Sequence, residues 1–160
     1  MEKVDEIDAQ ILSLLQEHGR IKRGTIAEEV GLSLPSISDR IRKLEERGVI
    51  KGYHAVVDSK KLGYDIAAFI RVVVDGSANY EQFVANALAL PDVQEVHSVT
   101  GDGSHILRVV TRDTSGLERL LSQIQSWPGV HGTFTSLVLS SFKDSRTVRT
   151  TPRVEIEPNV

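Results

Sequence analysis

The sequence predicts an α+β chain of two domains, a small helical one followed by a βαββαβ sandwich. Three observations predict it. Residues 25–50 read as helix, tight turn, helix and extended segment. A helix with a clean apolar stripe precedes them. Residues 66–142 then carry two copies of strand, helix, Pro-marked turn and strand.

Asp5 to Glu17 is expected to form the first helix, because Ile7, Ile11, Leu14 and Leu15 fall on one face and Asp5 can cap it. Ile26, Ala27 and Val30 give a second, shorter apolar face, which Gly31 stops because glycine takes positive φ without steric cost. Ser33 is the expected N-cap of a third helix, and Pro35 is tolerated in its first turn. Ile37, Ile41 and Leu44 line the inner side, and Gly48 ends the helix. The stretch Val49 to Asp58, rich in β-branched residues, is expected to form a strand or wing. Ser59-Lys60-Lys61-Leu62-Gly63 reads as a hinge. A short helix, a glycine turn and a second helix with a polar outer face make the helix-turn-helix pattern, whose second helix enters the DNA major groove.

The repeat in the second half has one offset of 37 residues: Ile70-Arg71-Val72-Val73 matches Leu107-Arg108-Val109-Val110, and Leu90-Pro91-Asp92-Val93 matches Trp127-Pro128-Gly129-Val130. Strands are expected near 66–75, 93–100, 104–112 and 130–141, with helices near 79–90 and 115–126. Asn79 and Thr114 or Ser115 are the expected caps. Two such units in tandem form the ferredoxin-like βαββαβ arrangement. Its helices cover one sheet face, and a symmetric dimer is the economical way to bury the other. The boundaries that follow are 1–58 for a winged helix-turn-helix, 59–65 for the hinge, 66–142 for the sandwich and 143–160 for a tail containing Pro152 and Pro158, expected to be mobile or to lie along a neighbouring subunit.

Composition excludes several chemistries. Among 160 residues there is no cysteine, so disulfides, thiolate catalysis and Cys-ligated zinc are out. The five histidines show no i, i+4 or HxH metal spacing, and no Walker loop, GxGxxG or GxSxG occurs. No apolar run reaches the roughly 18 residues of a membrane span, and the first residues lack a signal-peptide core, so the expected location is the cytoplasm. Net charge is −3, yet Arg20 to Lys61 holds ten Lys/Arg against six Asp/Glu, the kind of local excess that phosphate neutralisation needs.

With Ile37 set at zero on the third helix, Ile41 lies at about +40° and Leu44 at about −20°. Pro35, Asp39, Arg42, Lys43 and Glu46 occupy the far side, between about 140° and 240°, flanked by Ser36 and Ser38. Serine hydroxyls suit base edges or phosphate, whereas Arg42 and Lys43 suit phosphate. Arg40 turns toward the core side, as a structural residue or one reaching a flanking phosphate. Asp39 can accept from a cytosine amine or pair with Arg42 or Lys43. The DNA-binding set expected from sequence is therefore Arg20, Lys22, Arg23, Pro35, Ser36, Ser38, Asp39, Arg40, Arg42, Lys43 and Lys51.

These residues resemble the Lrp/AsnC, or feast/famine, family of prokaryotic transcription regulators. The resemblance runs from Asp5-Glu6-Ile7-Asp8 through Ile11-Leu12, Gly19-Arg20-Ile21, Ala27, Val30-Gly31-Leu32-Ser33, Arg40-Ile41, Leu44-Glu45, Gly48-Val49-Ile50 and Gly52-Tyr53. Leu62-Gly63, Pro91-Asp92-Val93, Val99-Thr100-Gly101-Asp102 and Thr135 to Val138 extend it over about residues 4–143. It implies an N-terminal winged helix-turn-helix and a sandwich that dimerises and assembles further to tetramers or octamers. It also implies an amino-acid effector between dimers, bound by Thr100, Gly101, Asp102, Gly103 and Ser104 with Thr133 and Thr135 opposite. Backbone N–H groups beside glycine suit a carboxylate and Asp102 suits an ammonium, although Asp102-Gly103 is also a plain hairpin-turn signal. The chain departs from the family at Ser104-His105, where an Asp followed by an aromatic or apolar residue is usual, which bears on which effector fits.

The expected partners are thus double-stranded DNA at a pseudo-palindromic site, further copies of the chain and a small-molecule effector, with no membrane, no metal, no cofactor and no catalysis. Two rival readings remain. Siroheme decarboxylases resemble the same two-domain architecture, but the basic groups a tetrapyrrole would need (His18, His97, His105, Arg71 and Arg108) are dispersed in sequence. A ligand-binding oligomer without DNA binding is suggested by the acidic Asp39 and Glu46 on the groove face.

Overall fold

The computed structural model describes residues 4–150. They divide into two compact units, one made of residues 4–56 with 144–150 and the other of residues 57–143.

The first unit is built on α1 (Glu6–Glu17), α2 (Arg23–Val30) and α3 (Leu34–Glu46). Asp5 caps α1 in a reciprocal box: its carboxylate accepts the Asp8 N–H at 2.7 Å, while the Asp8 side chain reaches back to the Asp5 N–H. Gly31 ends α2 in the left-handed region at φ 75°, and its N–H closes on Ala27. Ser33 then caps α3, accepting the Ser36 N–H, and Pro35 sits in the first turn where no N–H is needed. The three apolar stripes meet in one core of Ile11, Ile26, Ala27, Ile37, Ile41 and Leu44, with Leu32 packing in from the turn. The expected strand at Val49–Asp58 is absent: no regular strand forms there. A strand requires a partner to satisfy its backbone groups, and this unit has no second strand among the described residues. The segment is instead pinned by Tyr53, whose hydroxyl donates to Glu45 of α3 at 2.9 Å. Burial first, then the Glu45 carboxylate, pushes the Tyr53 phenol up to about 12.

The second unit contains β1 (Ile66–Val74), α4 (Tyr80–Leu88), β2 (Val93–Ser98), β3 (His105–Thr111), α5 (Thr114–Gln125) and β4 (Val130–Leu137), preceded by a 3-10 turn at Lys60–Leu62. The sheet is antiparallel with order β2-β3-β1-β4, as two interleaved βαβ units require. Ala68, Ile70, Val72 and Val74 of β1 join Leu107 and Val109 of β3 beneath Phe83, Ala87, Leu117, Leu120 and Ile124. One expected cap differs, and the other, Asn79, takes the N-cap position of α4 without a side-chain cap bond. Asp113, not Thr114 or Ser115, caps α5 by accepting the Gly116 N–H at 2.7 Å. A 3-10 turn holds Asn79 in a helical conformation, so its amide cannot fold back as a cap and donates to the Asp75 carbonyl instead. The sheet face away from the helices carries Phe69, Arg71, Ile106 and Phe134, with an Arg108–Glu95 ion pair at 3.6 Å. Phe134 remains 63% exposed.

Candidate nucleic-acid interface and effector loop

α3 presents its outer face as the sequence period requires. Pro35 and Ser36 are exposed at its N-terminal end, with Ser38 and Asp39 half-buried behind them. The Ser36 hydroxyl lies 2.8 Å from that of Ser33, so the same cap that starts the helix also orients this group. Further along, charge is arranged in a closed network. Arg42 bonds Glu46 at 2.6 Å and also bonds Asp39, and Lys43 reaches the other Asp39 oxygen at 3.0 Å. Lys43 first and Arg42 second hold the Asp39 carboxyl below its usual range. Arg42 and Lys43, on the outer face of α3, are therefore balanced on their own helix.

Arg40 points the other way. Its Nη1 bridges Asp5 at 2.7 Å and Asp8 at 2.8 Å, tying α3 to the first turn of α1. Desolvation pushes Asp5 up, but the Asp8 N–H and the Arg40 guanidinium outweigh it and leave the carboxyl below its ordinary value. This geometry fits the structural reading of Arg40. Arg47, outside the set expected from sequence, lines the same polar cleft as Ser36, Arg40 and Lys43, whose volume is about 490 Å³. Its place in a run of α3 charges was the available signal. Arg20, Lys22 and Arg23 lie exposed around the start of α2, Lys22 as its N-terminal flanking residue. Lys51 is exposed beyond the Gly48 turn.

In the second unit, Thr100, Gly101 and Asp102 form the exposed tip between β2 and β3. Gly103 lies against β1: at φ +125°, a Cβ there would come within 2.8 Å of Arg71 Cγ and 3.2 Å of the Val72 carbonyl. Ser104 anchors the loop. Its N–H donates to Val72 at 3.0 Å and its hydroxyl accepts the Val74 N–H at 3.1 Å. Thr133 flanks Val72 from the other side, on β4, so Ser104 and Thr133 bracket one end of β1. The Thr133 hydroxyl accepts from Gln125 at 2.7 Å. Thr135 pairs with Ile70, two residues further along, and is exposed. The loop and Thr133 are thus near neighbours within one chain, while Thr135 stands off.

His105 is buried, 1% exposed, beneath the Tyr80 and Phe83 rings at 4.9 and 4.7 Å. Its Nδ1 lies 2.9 Å from the Ser104 hydroxyl and its Nε2 3.3 Å from that of Ser98. Burial pushes its pKa down. Among the described residues no group of His, Asp and Glu could hold a metal, and no helix is long and apolar enough to cross a membrane.

A glycine-turned helix pair with a polar second helix is the helix-turn-helix of DNA-binding proteins, joined here to a βαββαβ sandwich. Residues 4–51 match the family model of winged helix-turn-helix DNA-binding domains, and residues 67–148 match that of the Lrp/AsnC ligand-binding domain. The chain is 38% identical to the HTH-type transcriptional regulator FL11 of Pyrococcus horikoshii, over 89% of this chain and 93% of that protein. It is 34% identical to the leucine-responsive regulatory protein of Salmonella typhimurium, over 89% and 88%. Among solved structures, E. coli AsnC superposes with a TM-score of 0.84 at 29% identity, covering 92% of this chain and 99% of that one. A Neisseria meningitidis transcriptional regulator in complex with L-methionine gives 0.84 at 28%, covering 90% and 95%. The chain belongs to the Lrp/AsnC family of transcription regulators, and the α+β fold expected from sequence is the fold observed.

Proposed function

We propose that this regulator binds double-stranded DNA as a homodimer, with the α3 helices in successive major grooves of a pseudo-palindromic site. The observation that carries the reading is α3 itself: held by Gly31 and Ser33, it presents Pro35, Ser36, Asp39, Arg42 and Lys43 on one outward face. Residues 1–58 serve as the DNA-binding part, 59–65 as hinge and 66–142 as the sensing and assembly part. The dimer forms through the sheet face bearing Phe69 and Phe134, and dimers assemble further.

An amino acid or related molecule is the effector, held at Thr100, Gly101, Asp102 and Gly103 with Thr133 nearby. The Ser104 hydroxyl is spent on the Val74 N–H and on its neighbours, so Ser104 shapes the loop and the effector meets the residues before it. Such a ligand regulates only if its affinity differs between the DNA-competent assembly and the others. The L-methionine complex of the Neisseria relative supports an amino acid as the class.

Fluorescence anisotropy with the fragment upstream of its own gene, with and without a pool of amino acids, tests the reading. Salt-sensitive, sequence-selective binding that shifts with the pool is expected. No binding under either condition would move the assignment to a ligand-binding oligomer. Arg42→Ala is expected to weaken binding to all sequences and lower the salt slope by about one unit. That value is a ceiling, because Arg42 must first leave Asp39 and Glu46. Ser36→Ala should change sequence preference and leave the slope alone.

A further inference from the structure

The chain leaves the sheet after β4, and its described C-terminal stretch, 144–150, belongs to the three-helix unit. The attachment is specific. Gln16, on the last turn of α1, donates from Nε2 to the Val148 carbonyl at 3.1 Å and accepts the Val148 N–H on Oε1 at 2.8 Å. A side-chain amide that satisfies both polar groups of one residue copies the pairing between adjacent strands. It fixes where Val148 lies on the helix and which way the backbone runs there.

What flanks that clamp is basic. Residues 144–150 read Asp-Ser-Arg-Thr-Val-Arg-Thr, two cations to one carboxylate, and Arg146 and Arg149 are both exposed. On the helix side, Gln16 stands four residues before Arg20, where the exposed Arg20, Lys22 and Arg23 begin. Arg149 follows the clamped Val148 by one residue and Arg20 follows Gln16 by four, so the clamp joins two short basic runs of the chain at one end of α1. α3 adds little net charge of its own, since Asp39 and Glu46 balance Arg42 and Lys43. Phosphate affinity must then come largely from cations outside α3.

We infer that residues 144–150 form a strap belonging to the DNA interface: Gln16 holds the strap on α1, and Arg146 and Arg149 contact backbone phosphates beside Arg20, Lys22 and Arg23. This rests on the DNA-binding reading above. The strap supplies affinity and no sequence discrimination, because contacts to phosphate carry no base information.

The test uses the full chain and a duplex that it binds, with anisotropy measured between about 50 and 200 mM salt. Each phosphate contact contributes about 0.9 to the slope of log K against log salt. The double variant Arg146→Gln/Arg149→Gln is therefore expected to lower the slope by up to about 1.8 per bound protomer, a ceiling because Arg146 already has an interaction within the chain, with unchanged preference among duplexes. Gln16→Ala keeps both charges. It is expected to remove the exchange protection of the Val148 amide and to weaken binding severalfold. A double variant with the intact chain's slope overturns the strap while leaving the DNA reading in place, as does a Gln16→Ala chain with unchanged exchange and affinity. An intact chain that binds no duplex overturns both.

Discussion

The two units solve the same problem, burying an apolar face, in opposite ways. The helical unit closes its core within itself: six buried residues from three helices meet, and Arg42 and Lys43 on the outer face of α3 are paired with Asp39 and Glu46. The sheet unit closes only one side. α4 and α5 cover the face of Ile70, Val72, Leu107 and Val109, while Phe69 and Phe134 stay on the other. Exposed aromatics beside a paired Glu95 and Arg108 are the composition of an interface, an apolar centre with charge to set the register. The first unit thus buries its apolar stripes within one copy, and the second leaves one sheet face with exposed aromatics, which the proposed dimer would cover.

The sharpest way to break that contrast is Phe134→Asp. A carboxylate in the middle of a buried isologous interface meets its own symmetry mate. The expected result is a shift to monomer in sedimentation velocity at micromolar concentration, a loss of dimer affinity of about 100-fold or more. Far-UV circular dichroism should remain unchanged, since Phe134 supports no core within its own chain. An assembly that survives intact would place the dimer contact elsewhere.

Arg40→Gln probes the self-contained unit. It removes the cation from two carboxylates, one of which, Asp8, is buried. Leaving such a group without its charged partner costs about 2 kcal/mol. The effect should appear as a lower denaturant midpoint for the helical unit, with assembly untouched. If Arg40 instead acts on phosphate, stability would hold and the salt slope of DNA binding would fall.

How much of each unit was legible in the sequence follows from how local its causes are. The helix ends were readable because their signals lie within a few residues: Asp5 three before Asp8, Gly31 at the left-handed turn, Ser33 before Pro35. The βαββαβ succession was readable from a 37-residue repeat, which two tandem βαβ units explain. The misses depend on partners remote in sequence or on a competing local geometry. β-branched residues at 49–57 suggested a strand, but propensity supplies no second strand to pair with. The Asp113 cap lost out to Thr114 because both are good caps one position apart. No pattern in the sequence brings Val148 to Gln16, 132 residues away. At the candidate site, Ser104 could be named from the loop, but not that its hydroxyl would be occupied by β1. Arg40 could be placed on the helix's inner flank, yet the two carboxylates that hold it come from another helix.

The smallest expected effect lies in the sheet unit, at His105. Its ring is enclosed by Tyr80 and Phe83, with Ser98 and Ser104 on its two nitrogens and Glu81 lining the groove outside. Burial lowers its folded-state pKa beneath the ordinary 6.5. Well above that pH the imidazole is neutral in both folded and unfolded chains, and it contributes no pH dependence to stability. Below it the unfolded chain binds a proton that the folded chain refuses, so stability falls as pH drops from about 6.5 toward the folded value. His105→Phe keeps a ring between Tyr80 and Phe83 and removes the titration. Urea midpoints at about pH 7.5 and about pH 5.5 should therefore converge in the variant relative to the parent chain. An identical pH dependence in both would assign the slope to other groups. It would also leave His105 as a packing residue whose hydrogen bonds merely hold the 99–104 loop against β1.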